Sequence, residues 1–167
     1  LYWPYKTVTP DWMRNKTYDQ LLKYIEKHTR EVVGHYGDGM YAWEIVNESH
    51  DWANETQLTP EQIRNITKLA CDVAKDTNPK VHRLINNCCP FAEYVQLKKW
   101  GELDAKYPQR TPIKFMQDLV DNDVDFTISG QQMYFPYRDL ADTIIHVERY
   151  EKFGRPVQLT EVGASSG

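Results

Sequence analysis

Cysteine is scarce in this sequence and poorly placed for structural work. Three occur in 167 residues: Cys71 alone, and Cys88 and Cys89 side by side. Adjacent cysteines are too close for an ordinary staple, and no C-x-x-C pair or His/Cys cluster has zinc spacing. The five histidines (His28, His35, His50, His82 and His146) are scattered and form no H-E-x-x-H helix face. No metal and no cofactor is therefore expected. Basic charge is also short, with 20 Lys and Arg against 24 Asp and Glu, for a net charge of −4. Nucleic acid or an anionic membrane would call for a basic face to neutralise phosphates, so neither is expected as a partner. No apolar run approaches the roughly 18 residues of a membrane span, and the opening residues have no secretory signal pattern. None of the eight glycines forms G-x-G-x-x-G or a P-loop, the usual signs of a nucleotide site.

What is plentiful is aromatic side chain, 13% of the residues, including five Trp and eleven Tyr. Hydrophobic residues make up 41% and charged ones 26%, ordinary for a globular domain. Short strand signals alternate with amphipathic helix signals. Thr17-Tyr18-Asp19-Gln20 has the form of a capping box, and Leu21, Ile25, His28 and Val32 follow as a buried stripe, with Gly34, Gly37 and Gly39 ending the helix. Residues 41–47 (YAWEIVN) predict a strand. Thr59-Pro60-Glu61 starts a second helix with stripe Ile63, Ile66, Ala70 and Val73. Beyond it come a strand at Val81–Asn86, a helix from Phe91 to about Lys106, and a helix from Thr111-Pro112 burying Phe115, Met116, Leu119 and Val120. A strand at 124–133, a helix from Asp139 to Phe153 and a strand from Val157 to Thr160 complete the pattern.

This alternation means an α/β fold with parallel crossovers in one domain, residues 1–167. An open doubly wound sheet and a (β/α)8 barrel both fit it. Polar residues cluster where strands end: Asn47 and Glu48, Asn86 and Asn87, Gln132 and Tyr134, Thr160 and Glu161. Catalytic groups of a barrel occupy that rim, which favours the barrel. Glu48 and Glu161 each follow a hydrophobic strand, in VNE and LTE, so both would point to one rim despite their distance in sequence. Two carboxylates on one rim are the minimum for glycosidic cleavage, one protonated to assist the leaving oxygen and one ionised to attack the anomeric carbon.

Residues 41–49, YAWEIVNES, resemble the acid/base motif that ends the fourth barrel strand of glycoside hydrolase family 10, the β-1,4-xylanase family. VQLTEV at 157–162 is similar to the nucleophile motif that ends its seventh strand. Between them, HRLINN at 82–87 resembles the fifth strand, with Asn87 where an Asp is usual, and VDFTISGQQMY at 124–134 the sixth, with Gly130 and Gln132 matching. LYW and TPDWM at 9–13 resemble the third strand and its loop. The resemblance covers essentially the whole chain and implies a partial (β/α)8 TIM barrel, strands three to seven of eight. It implies a retaining hydrolase acting on xylan, outside the cytoplasm or in the periplasm. Glu48 would be acid/base and Glu161 nucleophile, about 5–5.5 Å apart for retention. Asn47 would bind the sugar 2-hydroxyl, Gln132 and Asn86 would line the cleft, and Trp3 and Trp52 would be platforms for sugar rings.

The chain departs from the family in places. Tyr134 stands where a His that contacts the nucleophile is usual, and Pro4 follows Trp3 in place of a His. A partial barrel would leave two open strand edges, expected to self-associate and to leave residues 1–167 alone with little activity. Two other functions fit the same residues: a non-catalytic carbohydrate-binding relative, and a retaining β-glycosidase acting on β-glucan or β-mannan. Gly163–Gly167 has the G-x-S-x-G form of a nucleophile elbow, but these residues supply no acid and histidine partners after Ser165.

Overall fold

The structure, a computed structural model, describes residues 1–3, 8–49, 54, 56–88, 99–100, 103–104, 110–134 and 140–163. Helix starts follow the local chemistry. After a short helix α1 (Asp11–Arg14), α2 (Tyr18–Tyr36) opens on the expected capping box: Thr17 accepts from the Gln20 amide, and Gln20 accepts from that of Thr17. Its buried side is Leu21, Ile25, Thr29 and Val33 rather than a line through His28 and Val32. Positions four apart form the ridge that packs into a neighbouring helix, and the stripe follows that ridge. Gly34 lies within the helix, which stops at Gly37 with φ of +49° and passes into a 3-10 turn, Gly37–Gly39.

Strand β1 (Ala42–Asn47) comes next, then α3 (Pro60–Thr77), with Pro60 in its first turn and a second capping box between Thr59 and Gln62. All four residues of its expected stripe are buried. Strand β2 (His82–Asn87) follows. The helix expected from Phe91 to Lys106 is corrected where it can be compared. Lys99–Trp100 (β3) pairs antiparallel with Leu103–Asp104 (β4), and the rest of that span lies outside the described residues. A helix there would have carried Gly101 in its interior, at a cost of about 1 kcal/mol relative to Ala. The remaining elements are α4 (Pro112–Asp121), β5 (Ile128–Tyr134), α5 (Leu140–Glu151) and β6 (Val157–Gly163). Glu161 thus lies within its strand rather than after it.

Strands β1, β2, β5 and β6 form one parallel sheet in chain order. The expected third-strand segment contributes a single parallel bridge, Tyr2 to Val46, on the outer side of β1. Ile45, Val46 and Ile85 join Ile63, Ile66, Ala70, Phe115, Met116 and Leu119 in the core between sheet and helices. Leu84 and Asn86 alternate with Ile85 and so belong to the opposite, inner face.

Two register shifts break the simple alternation. Glu44 pairs with Leu84 but Val46 with Ile85, so Ile45 is an extra residue in β1. Leu159 pairs with Gln131 but Glu161 with Gln132, so Thr160 is an extra residue in β6. A bulge re-aims every side chain after it. In β1 it lets Ile45 and Val46 both enter the core and turns Asn47 inward. In β6 it directs two successive residues, Thr160 and Glu161, to the same face.

At the opposite end of the strands, Arg83 is buried and its guanidinium is well supplied. Nε donates to the Asp125 carbonyl at 2.7 Å, Nη1 to that of Val81 at 3.1 Å and Nη2 to Asp125 Oδ1 at 3.1 Å. Lys75 also donates to Asp125, at 2.6 Å. That hydrogen bond leads the causes that hold the Asp125 carboxyl below its ordinary value. Asp125→Ala leaves one buried donor of Arg83 without its acceptor, and should cost about 1–3 kcal/mol in chemical denaturation. Because the folded carboxyl ionises more readily, the stabilisation is present at neutral pH and is lost as pH falls through its lowered value. A loss below about 0.5 kcal/mol, typical of an uninvolved surface site, would mean that the two carbonyls suffice for Arg83.

Candidate active site

The inner face at the C-terminal ends of the strands carries one connected polar network. Its centre is Asn86, fully buried in β2. Asn86 Nδ2 donates to Asn47 Oδ1 at 3.1 Å and to Glu161 Oε1 at 3.0 Å, and Asn86 Oδ1 accepts from Thr160 Oγ1 at 2.5 Å. The Asn86 carbonyl accepts from the Glu48 amide at 2.9 Å. One residue thus touches both segments that bear the predicted carboxylates. Gly130 makes room for it: a Cβ there would lie 2.5 Å from Leu84 Cδ2 and 3.0 Å from Asn86 Oδ1 and Thr160 Cγ2.

Gln132 completes the network from β5. Its Nε2 donates to Asn47 Oδ1 at 3.2 Å and to Glu48 Oε1 at 2.8 Å. Asn47 Oδ1 therefore accepts twice, which fixes the amide and leaves its Nδ2 to donate elsewhere. The second Glu48 oxygen, Oε2, accepts from the indole Nε1 of Trp3 at 3.0 Å. Trp3, expected as a sugar platform, is thus a hydrogen-bond donor to the carboxyl. It is also partly exposed, so a ring face remains at the surface. Trp52, the other expected platform, lies outside the described residues.

The two carboxyls sit in unlike surroundings. Glu48 is buried and has φ of +54°, a left-handed conformation that costs a non-glycine residue about 1–3 kcal/mol. Desolvation raises its carboxyl above the ordinary glutamate value. The donors Gln132 and Trp3 oppose that rise, and the charge of Glu161 adds to it. Glu161 is half-buried in β6 and accepts from Asn86 and from the Tyr134 hydroxyl. That bond to Glu161 is the leading reason the Tyr134 phenol is pushed up to about 12, so it keeps its proton to donate. Glu44, on the same strand as Asn47, is also raised, mainly by burial. Asn87, where the resemblance would have an Asp, is buried, and neither amide atom has a hydrogen-bond partner among the described residues.

The structure brings together seven of the eight residues read from sequence in one hydrogen-bonded set: Glu48, Glu161, Asn47, Asn86, Gln132, Tyr134 and Trp3. From sequence, Thr160 and Gly130 are only a strand-end residue and a sixth-strand match; the structure adds the hydroxyl that Thr160 gives to Asn86 and the close approach that Gly130 allows. Thr160 had a signal in its place beside Glu161, but only the bulge turns it inward. In general chemical terms, the arrangement offers one dry carboxyl inclined to hold a proton and one carboxylate held by two donors.

The model of Glycosyl hydrolase family 10 matches residues 1–166. A β-1,4-xylanase of Dictyoglomus thermophilum is 46% identical over 41 residues, 25% of this chain and 12% of that protein. Among solved structures, the xylanase of Thermobacillus composti superposes with TM-score 0.67 at 22% identity, over 98% of this chain and 46% of its own. An intracellular xylanase of Thermoanaerobacterium saccharolyticum, in complex with xylotriose, gives 0.68 at 18% identity, over 89% and 45%. The fold is accordingly that of part of a (β/α)8 barrel, and the chain spans less than half the length of these solved xylanases.

A carboxyl-labelled NMR titration tests the surroundings of Glu48. It should titrate above the ordinary glutamate range, and Trp3→Phe should move it further up, because a donor to the charged form is lost. The folded state then retains a proton that the unfolded chain has released, so this group's contribution to stability falls as pH rises through that window. A downward move in Trp3→Phe would mean that the indole acts by excluding water rather than by donating.

Proposed function

The chain belongs to glycosyl hydrolase family 10, and we propose that it serves the cleavage of β-1,4-xylosidic bonds in xylan with retention of configuration. The observation that carries this reading is the inequality of the two carboxyls around Asn86. Glu48, dry and raised, is suited to give a proton to the glycosidic oxygen. Glu161, held by Asn86 and Tyr134, is suited to attack the anomeric carbon from the other side. As the bond between sugar and leaving oxygen breaks, Glu161 forms an ester to the sugar and the Glu48 proton passes to the departing alcohol. Glu48, now ionised, takes a proton from water as that water attacks the same carbon, and Glu161 leaves.

The supporting residues act on charge and orientation. Asn47 presents Nδ2 to the sugar, since its oxygen is occupied by Asn86 and Gln132. A hydrogen bond to the 2-hydroxyl that tightens as oxocarbenium character develops would stabilise the transition state of the cleavage more than the bound substrate. Gln132 and Trp3 both donate to Glu48, and so also stabilise its anionic form between the two steps. The polymer is the proposed partner. Its compartment is left open by the family, since the T. saccharolyticum relative is described as intracellular.

Azide rescue distinguishes the two roles. Glu48→Ala should lower turnover of xylan by on the order of 10²- to 10⁴-fold, and azide with an activated aryl β-xylobioside should then give the β-glycosyl azide. Glu161→Ala should be inactive alone and give the α-glycosyl azide. Exchanged products would reverse the assignment. Residues 1–167 alone should turn over little xylan; binding with no turnover by a protein that also carries the remaining strands of the barrel would instead favour a carbohydrate-binding role.

A further inference from the structure

We propose that Gly163 is a positioning residue for Glu161: its missing side chain is the slot in which the Tyr134 ring lies, and that seat lets the phenol donate to the carboxylate. The proposal rests on the reading of Glu161 as nucleophile. Tyr134 and Gly163 are register partners at the ends of β5 and β6. A Cβ on Gly163 would come within 2.8 Å of Tyr134 Cδ1, closer than real Cβ contacts allow, and within a tight 3.3 Å of Cε1. The ring is therefore laid directly against the glycine backbone, with its hydroxyl on Glu161 Oε2.

Backbone conformation gives no other reason for glycine here. Gly37 and Gly154 have left-handed φ, whereas Gly163 does not, so an alanine would be allowed by the chain itself. Solubility and core packing give none either, because Gly163 lies at the rim and Tyr134 is half exposed. The bulge at Thr160 is part of the device. Had the register of Gln131 with Leu159 continued without it, Tyr134 would face Val162, whose branched side chain would fill the slot. The extra residue turns Glu161 inward and sets glycine opposite tyrosine in the same step.

Displacing the ring should cost what deleting the hydroxyl costs. A hydrogen bond to a charged group is at stake, so Gly163→Ala and Tyr134→Phe should each slow attack by Glu161 on the order of 10- to 100-fold. The two losses should not add, because both remove the same contact. The test is the rate at which an aryl 2-deoxy-2-fluoro-β-xylobioside esterifies Glu161, measured in the protein, in each variant and in the double variant. A ligand-free measurement accompanies it. The carboxyl carbon resonance of Glu161 should move in the same direction in Gly163→Ala as in Tyr134→Phe, with the thermal midpoint little changed. Additive losses, or an unmoved resonance in Gly163→Ala, would overturn the role of Gly163 while leaving the nucleophile in place. Absence of ester on Glu161 in a protein that also carries the remaining strands of the barrel, with the resonances moving together, would overturn the nucleophile reading and leave Gly163 positioning a carboxylate of another role.

Discussion

Everything at the rim depends on the side-chain amide of Asn86. A buried amide has two donors and an oxygen to satisfy, and leaving them unmet costs about 1–3 kcal/mol per group. Asn86 satisfies them with Asn47, Glu161 and Thr160, one from β1 and two from β6, while its carbonyl holds the backbone of Glu48. Three strands are therefore set in register by one side chain. An aspartate could not donate at this position, and a leucine would strand every partner. The close approach needed is supplied by Gly130 on β5, where any Cβ would meet Leu84 and Asn86. The neighbouring Asn87 shows the contrast: the same side chain on the other face of β2 is buried with no hydrogen bond among the described residues.

From that anchor the difference between the two carboxyls follows. Glu48 leaves β1 in a left-handed conformation, which turns its side chain back over the buried side of the rim. There it meets two donors that carry no formal charge, so desolvation outweighs them and the proton is favoured. Glu161 stays within β6, reached by the Asn86 amide from below and by the tyrosine hydroxyl from the solvent side. No cation contributes to either position among the described residues. The asymmetry comes from burial and backbone geometry: Glu48 is dry, and Glu161 is half-buried between two donors.

Much of this was legible in the sequence, for local reasons. Thr17 with Gln20, and Thr59 with Pro60, name helix starts through chemistry that acts over three residues. Polar residues after apolar runs mark a rim because a parallel sheet sends all its strand ends the same way. What the residues do not spell out is an extra residue in a strand. EIVN and LTE read as plain alternation, and only pairing with β2 and β5 shows that Ile45 and Thr160 break it. The same limit explains Trp3. Its ring suggested a platform, but the partner of its N–H is 45 residues away and is brought near by the bridge of Tyr2 to Val46. In the span after Phe91, Gly101 works against a helix, and Lys99–Trp100 and Leu103–Asp104 pair instead as short strands.

The two ends of the sheet divide the work between them. The rim accumulates cost: a strained Glu48, a desolvated carboxyl, an amide without partners, and two bulges that interrupt the ladder. The other end accumulates saturation. Arg83 has every nitrogen of its fork engaged, Asp125 takes a second cation, and the Arg83 amide donates to the Thr127 hydroxyl while the Arg83 carbonyl accepts from the Thr127 amide. In a parallel barrel these ends are separated by the length of the strands, so strain at one need not disturb packing at the other. Substitutions at the rim can then change chemistry with little change in folding, and substitutions around Arg83 the reverse. A rim with a buried carboxyl and a bent strand can exist here because stability is supplied elsewhere, by capped helices and a satisfied ion pair that lie away from it.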